Sequence, residues 1–197
     1  MKLYYHPISP FVRKVMICAH ENGLFDAIEL VLTDTLDEGL RRVNPLCKIP
    51  VLQLDDGMAL YDSRVICEHL DGMGKGAMIP AHGPDRLRAR RLEALGDGLA
   101  DATLRRVMET RRPEGEWHAD VVERQSRAIA AGLAEAERLV DSSQFTLGEA
   151  SVAAALVYLD MRLPDQGWRG AHPRLAAWLA TVDRRPSLVG TAPVSAT

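Results

Sequence analysis

The sequence has no cysteine pair at a redox or metal-binding spacing, no basic surplus, no long apolar run, no internal repeat and no low-complexity segment. Its three cysteines, Cys18, Cys47 and Cys67, are odd in number and far apart. Together with the absence of an apolar export segment around Met1–Pro7, they read as reduced thiols of a cytoplasmic protein rather than a disulfide framework. The six histidines are scattered, so no metal site is expected. Net charge is −3, with Lys and Arg spread along the chain. That distribution excludes a basic face for nucleic acid and a charged disordered tail. Nothing in the chain approaches the length of a membrane span.

What is present is a chain of 197 residues, 47% hydrophobic, enough to bury one large core or two small ones. Lys2-Leu3-Tyr4-Tyr5 is a short apolar and aromatic run that predicts a strand. Ser9-Pro10 opens a helix, with Ser as cap and Pro at the first helical position. Phe11, Val12, Val15, Met16 and Ala19 give that helix one apolar face, and Gly23 ends it. Residues 27–32 predict a second strand, parallel to the first because a helix connects them. A weak helix is expected over 35–43. Residues 51–54 and 58–61 predict a β-hairpin about Asp55-Asp56-Gly57, followed by a helix whose apolar face holds Val65, Ile66, His69 and Leu70.

Residues 71–84 are rich in Gly and Pro and mark a domain boundary. Helical spacing then runs over 85–112, 118–140, 151–161 and 173–183. The third of these is apolar almost all round and is expected to be fully buried, beginning at Ser151. The expected organisation is an N-terminal α/β domain over 1–74, a linker over 75–84 and an all-helical domain over 85–197.

Two short segments carry the functional reading. Asn44-Pro45-Leu46-Cys47-Lys48-Ile49-Pro50-Val51-Leu52 places a proline at the first residue of a strand, where its missing N–H is tolerated. Ile49 is thereby pushed toward extended geometry, with its own N–H and C=O available to another chain. Asp62-Ser63 puts a carboxylate and a hydroxyl at a helix start, whose unpaired N–H groups attract carboxylates. The pair of segments suits a small extended peptide with charged ends. Its backbone would meet Ile49, its anionic end the Ser63 helix start and its ammonium Asp62.

Ser9-Pro10-Phe11-Val12-Arg13-Lys14-Val15, the Asn44–Leu52 segment, Asp62-Ser63, His172-Pro173-Arg174-Leu175-Ala176-Ala177-Trp178 and Arg185-Pro186-Ser187 resemble, in order and spacing, the glutathione S-transferase superfamily. The resemblance covers nearly the whole chain and is nearest to small bacterial cytosolic members. It implies a thioredoxin-like βαβαββα domain followed by an all-α domain, and the order of predicted elements agrees. It also implies detoxification chemistry, a homodimer, glutathione as co-substrate and no metal.

Carried over residue by residue, the resemblance makes Ser9 the catalytic residue, its hydroxyl donating to the glutathione sulfur and favouring thiolate over thiol. The alternative for Ser9 is a simple helix cap. Ile49-Pro50 corresponds to the family's cis-proline loop, whose preceding backbone pairs with the cysteinyl unit. Lys48 would lie by the glycyl carboxylate, or else be a solvated lysine. Asp62 and Ser63 match the acidic-residue–Ser pair that grips the γ-glutamyl end, or else cap the helix. Asp is one methylene shorter than the usual Glu or Gln, which allows a water-mediated contact. Tyr4 and Tyr5 read as strand core and not as thiol partners. Cys47 stands where many relatives have glycine and reads as a bystander. Cys18 and Cys67 read as packing residues. Ile8 and Phe11, with Arg105, Met108 and Arg112, are expected to line the electrophile pocket. In the family the buried helix carries a Ser or Thr cap and an Asp three residues on. Ser151 keeps the hydroxyl, but Ala154 lacks the carboxylate.

The expected activity is conjugation of the glutathione thiolate to a small electrophile, making the chain a glutathione S-transferase. A glutathione-dependent isomerase or peroxidase and a non-catalytic glutathione- or partner-binding protein are the alternatives.

Overall fold

The computed structural model describes residues 1–76, 78–113 and 115–193. Positions 77, 114 and 194–197, which the expected linker and helical domain include, lie outside the described residues. The chain divides into two compact units, Met1–Arg86 with the segment from Arg185 onward, and Leu87–Arg184.

In the first unit, β1 (Lys2–Tyr5), β2 (Glu29–Leu32), β3 (Val51–Gln53) and β4 (Ala59–Leu60) form a mixed sheet in the order β2-β1-β3-β4. β1 runs parallel to β2, with Leu3 opposite Leu30, and antiparallel to β3, with Leu3 opposite Leu52. β4 returns antiparallel along β3, with Leu52 opposite Leu60. The parallel pair requires a crossover, and helix α1 (Pro10–Asn22) supplies it. Ser9 caps α1, and Gly23 closes it in the left-handed conformation at φ 74°. The Leu24 amide then reaches back to the Ala19 carbonyl at 2.8 Å, the six-to-one bond of a glycine-terminated helix.

α2 (Glu38–Val43) is shorter than the pattern over 35–43 suggests. Asp37 takes the cap position by accepting the Gly39 amide at 2.7 Å. The hairpin's second strand is also shorter than expected, because Met58 is held in the turn by Asp56 through its amide at 2.9 Å. Helix α3 (Ser63–Met73) packs on α1, and Leu3, Val12, Val15, Ile17, Leu52, Ile66 and Leu70 are buried in this unit. Cys18 and Cys67 are buried in α1 and α3, as packing residues should be. Tyr4 and Tyr5 are only half-buried.

Past α3 the chain is held by one buried carboxylate. Asp71 Oδ1 accepts Asn22 Nδ2 at 3.1 Å and the Met78 amide at 2.9 Å, while Oδ2 accepts the Ile79 amide at 3.1 Å. The final helix, α9 (Pro186–Val189), belongs to this unit. Arg185 and Ser187 both bond to Glu21 of α1, and Arg13 donates to the Leu188 carbonyl at 3.2 Å. These contacts draw the segment from Arg185 to the N-terminal unit rather than to the helices that precede it.

Helix α4 (Gly83–Thr110) starts in the first unit and continues into the second, followed by α5 (Ala119–Leu139), α6 (Leu147–Arg162), α7 (Trp168–Ala171) and α8 (Pro173–Val182). α6 is buried almost throughout, as its apolar sequence dictates. Its start differs from the expectation. The cap is Thr146, not Ser151, and the reciprocal box is complete. The Glu149 carboxylate accepts the Thr146 amide at 2.9 Å, and the Thr146 hydroxyl accepts the Gly148 amide at 3.2 Å. Ser151 lies inside the helix, where its hydroxyl donates to Asp97 Oδ1 at 2.8 Å. Position 154 therefore lacks no capping carboxylate; the carboxylate is Glu149, three residues after Thr146. α4 crosses α6 closely at Gly96, where a Cβ would stand 2.5 Å from the Ser151 backbone.

Candidate active site at one end of the sheet

The strand register fixes where the sequence-predicted segments meet. β1 leads out of the sheet after Tyr5 and turns into Ser9 and α1. β3 is antiparallel to β1 with Val51 opposite Tyr4, so the chain enters β3 through Ile49-Pro50 at that same end. β4 is antiparallel to β3, so it too leaves the sheet there, through Tyr61 and Asp62 into α3. Ser9, Lys48-Ile49-Pro50 and Asp62-Ser63 thus share one end of one sheet, though 54 positions separate the first from the last.

Ser9 is the N-cap of α1. Its Oγ accepts the Val12 amide at 3.4 Å, and its own amide donates to the His6 carbonyl at 3.0 Å. Since the hydroxyl acts here as an acceptor, its proton stays available to a partner outside the helix. The N-terminus of α1 adds partial positive charge, which favours an anion beside Ser9. The Tyr4 hydroxyl donates to Gln53 Oε1 at 3.1 Å, so it is engaged within the sheet.

The Ile49-Pro50 peptide is cis, as the loop's resemblance implied, and Pro50 is buried. Ile49 is half-buried, and among the described residues no hydrogen bond engages its amide or carbonyl. Lys48 is exposed. Cys47 is half-buried and adopts a left-handed backbone at φ 49°, which explains why glycine suits this position.

Asp62 is the N-cap of α3, with Oδ1 accepting the Arg64 amide at 3.0 Å. Its side chain is exposed. Ser63 is the first helical residue and only 3% exposed, so it sits beneath the helix start rather than capping it. Ile8 and Phe11 are half-buried at the entry to α1. In the second unit Arg105 and Met108 lie exposed on α4, Arg105 paired to Asp101 at 2.8 Å, and Arg112 just follows the helix at 3.9 Å from Glu109.

One residue at this end escaped the sequence reading. Asn44 is 1% exposed and bonds the loop it precedes through both ends of its amide. The sequence does contain a signal for it, since Asn before Pro favours local side-chain to backbone bonds. No helix of the described residues is long and apolar enough to cross a membrane, and none of their His, Cys, Asp and Glu side chains form a cluster suited to a metal ion.

Residues 8–73 match the model of the glutathione S-transferase N-terminal domain, and residues 119–181 match that of the C-terminal domain. The chain is 35% identical to an uncharacterised GST-like protein, YibF, of Escherichia coli K12, over all of both chains. A glutathione transferase family member from Pseudomonas fluorescens Pf-5, solved with bound glutathione, is 41% identical, with a TM-score of 0.92 over 98% of each chain. A glutathione S-transferase from Methylobacillus flagellatus KT with glutathione bound is 38% identical, with a TM-score of 0.91 over 98% of this chain and 99% of that one. With both domain models matched in order and full-length relatives on either measure, the chain belongs to the glutathione S-transferase superfamily.

Proposed function

We propose that this chain binds glutathione at the shared end of the sheet and transfers it to a small electrophile. The observation that carries the reading is the convergence of Ser9, Ile49-Pro50 and Asp62-Ser63 on that end. The residues suit the tripeptide. The Ile49 backbone is open to pair with its cysteinyl unit, Lys48 complements its glycyl carboxylate, and Asp62 with Ser63 at the start of α3 complements the amino and carboxylate groups of its γ-glutamyl end. Relatives solved with glutathione bound support this assignment.

The glutathione thiol supplies the nucleophile. Ser9 Oγ accepts the Val12 amide, so its O–H is free to donate to the sulfur, and the α1 N-terminus adds favourable potential. The thiol proton leaves to solvent, the sulfur forms a bond to the electrophilic carbon, and the leaving group departs with the bonding electron pair. Lowering a thiol from pKa ~8.5 to ~6.5 raises the thiolate fraction at pH 7 from about 3% to about 75%. The weaker nucleophilicity of the more stable thiolate cancels about 8-fold of that gain for a Brønsted slope near 0.45. Positioning must therefore supply most of the acceleration, and the proposal assigns it to Ile49, Lys48, Asp62 and Ser63.

The test is a calorimetric glutathione titration followed by an activity screen over aryl halides, epoxides, peroxides and maleyl-type isomerisation substrates. Binding together with a thioether product confirms the proposal. Turnover confined to peroxide or isomerisation substrates replaces transfer with that reaction. Binding without turnover makes the chain a glutathione-binding protein, and absence of binding overturns the reading. Substituting Ile8, Phe11, Arg105, Met108 and Arg112 in turn then identifies which of them bears on the electrophile.

A further inference from the structure

We infer that Asn44 is a positioning residue that aims the Ile49 amide at the tripeptide, an inference that rests on the glutathione-binding reading above. Asn44 follows α2, and its amide donates to the Leu40 carbonyl at 2.8 Å. Its carbonyl accepts the Cys47 amide at 2.9 Å. Its side chain then spans the turn, Oδ1 accepting the Leu46 amide at 3.0 Å and Nδ2 donating to the Lys48 carbonyl at 2.8 Å. All four polar groups of a residue only 1% exposed are engaged, one with the end of α2 and three within the one loop, while Pro45, Leu46 and Lys48 around it are exposed.

The last of these bonds matters for binding. The Lys48 carbonyl and the Ile49 N–H belong to the same planar peptide unit and point in opposite directions. Holding the Lys48 oxygen toward Asn44 therefore turns the Ile49 N–H the other way, outward from the loop. Cys47, in its left-handed conformation, lies between the two backbone groups that Asn44 grips. The turn and the peptide orientation are thus set by one buried amide, before any ligand arrives.

Asn44→Asp separates orientation from bulk. It keeps the shape and the oxygen that accepts the Leu46 amide, but replaces the donor to Lys48 with a second acceptor facing a carbonyl. Calorimetry at pH 7 should show a glutathione Kd at least tenfold weaker for Asn44→Asp than for wild type. Protonation of the new carboxyl restores a donor, so the gap between variant and wild type should narrow as pH falls, which lost packing alone would not produce. In wild-type protein, hydrogen exchange at the Ile49 amide should slow at least tenfold on adding glutathione, a measurement that stands if the variant does not fold. A wild type that binds glutathione beside an Asn44→Asp of equal affinity overturns this inference alone, and a wild type that binds glutathione with no change at the Ile49 amide overturns it together with the assignment of Ile49 to the cysteinyl unit. A wild type that binds no glutathione overturns the functional reading and this inference with it.

Discussion

The Oγ of Ser9 accepts the Val12 backbone amide at 3.4 Å, which makes Ser9 the cap of α1 without consuming its hydroxyl proton. Capping and thiol activation are therefore compatible in one side chain. Ser9→Ala removes both. Because the capping bond is long, its loss should cost only about 0.5–1 kcal/mol of stability, the lower end of the range for caps. If the hydroxyl also stabilises the thiolate, the pH–rate profile with one accepted electrophile should shift to higher pH, with glutathione affinity nearly unchanged. Superimposable profiles of wild type and Ser9→Ala would reduce Ser9 to a cap.

The start of α6 gives a stability test that runs against the expectation from position 154. Glu149 is fully buried and accepts the Thr146 amide and the Arg88 guanidinium, the latter at 2.8 Å. Glu149→Ala removes the acceptor of the buried Thr146 amide and one partner of Arg88, which keeps its bonds to Gln144 and the Leu139 carbonyl, and should cost about 1–3 kcal/mol. Thr146→Ala should cost about 0.5–2 kcal/mol. Ala154→Asp should destabilise the protein, because Ala154 is 2% exposed inside the helix and a new carboxylate there meets no cap to complete. Denaturant midpoints rank the three, and a raised midpoint for Ala154→Asp would contradict the helix boundary.

Glu21 ties the segment from Arg185 to α1. Burial pushes its carboxyl up, but hydrogen bonds from Arg185 and Ser187, with the Arg185 charge and a contribution from His20, hold it below the usual carboxylate value. A carboxyl whose folded value is depressed stabilises the protein above its unfolded value, and that contribution disappears as pH falls through the lowered one. Glu21→Gln should therefore lower stability near neutrality by about 0.5–1 kcal/mol, since the pair is partly screened by solvent. The difference in thermal midpoint between wild type and variant should close as pH falls through the carboxyl's lowered value. A gap that widens on acidification would mean that Glu21 is not held in this way.

Asp71 holds the turn after α3 through the Asn22 amide and the backbone amides of Met78 and Ile79. Asp71→Ala strands these donors in a buried site and should cost about 1–3 kcal/mol. The amides of Met78 and Ile79 should exchange faster in the variant, by hydrogen-exchange mass spectrometry. Unchanged exchange would show that this turn is held by other contacts.

Cys47 adopts φ 49°, a conformation that costs an ordinary residue about 1–2 kcal/mol. Glycine removes that cost but loses about 0.5–1 kcal/mol through its greater freedom when unfolded. Cys47→Gly should fall between neutral and about 1.5 kcal/mol more stable, whereas Cys47→Val should be clearly destabilised. Chemical denaturation of both variants checks the order, and a Val variant as stable as wild type would refute it.

The sequence by itself determined the elements whose signals are local. Ser9-Pro10 and Gly23 bound α1, the Asp-Gly turn closes the β3–β4 hairpin, and the unbroken apolar run makes α6 a buried helix, because caps, turns and periodicity act over a few residues. The site segments were legible for the same reason, each being a strand end or a helix start. The register of the sheet, by contrast, is a property of the folded chain. Only β3 paired antiparallel to both β1 and β4 brings Ser9, Ile49 and Asp62 to one end. Tertiary structure also decided the start of α6. Ser151 and Thr146 both have the chemistry of a cap, and the choice went to Thr146 because Glu149 completes its box and Arg88 offsets the buried carboxylate. It decided the place of the segment from Arg185, through bonds to Glu21 more than 160 positions away. It also gave Asn44 its role, since no local rule says which carbonyl a buried amide will meet.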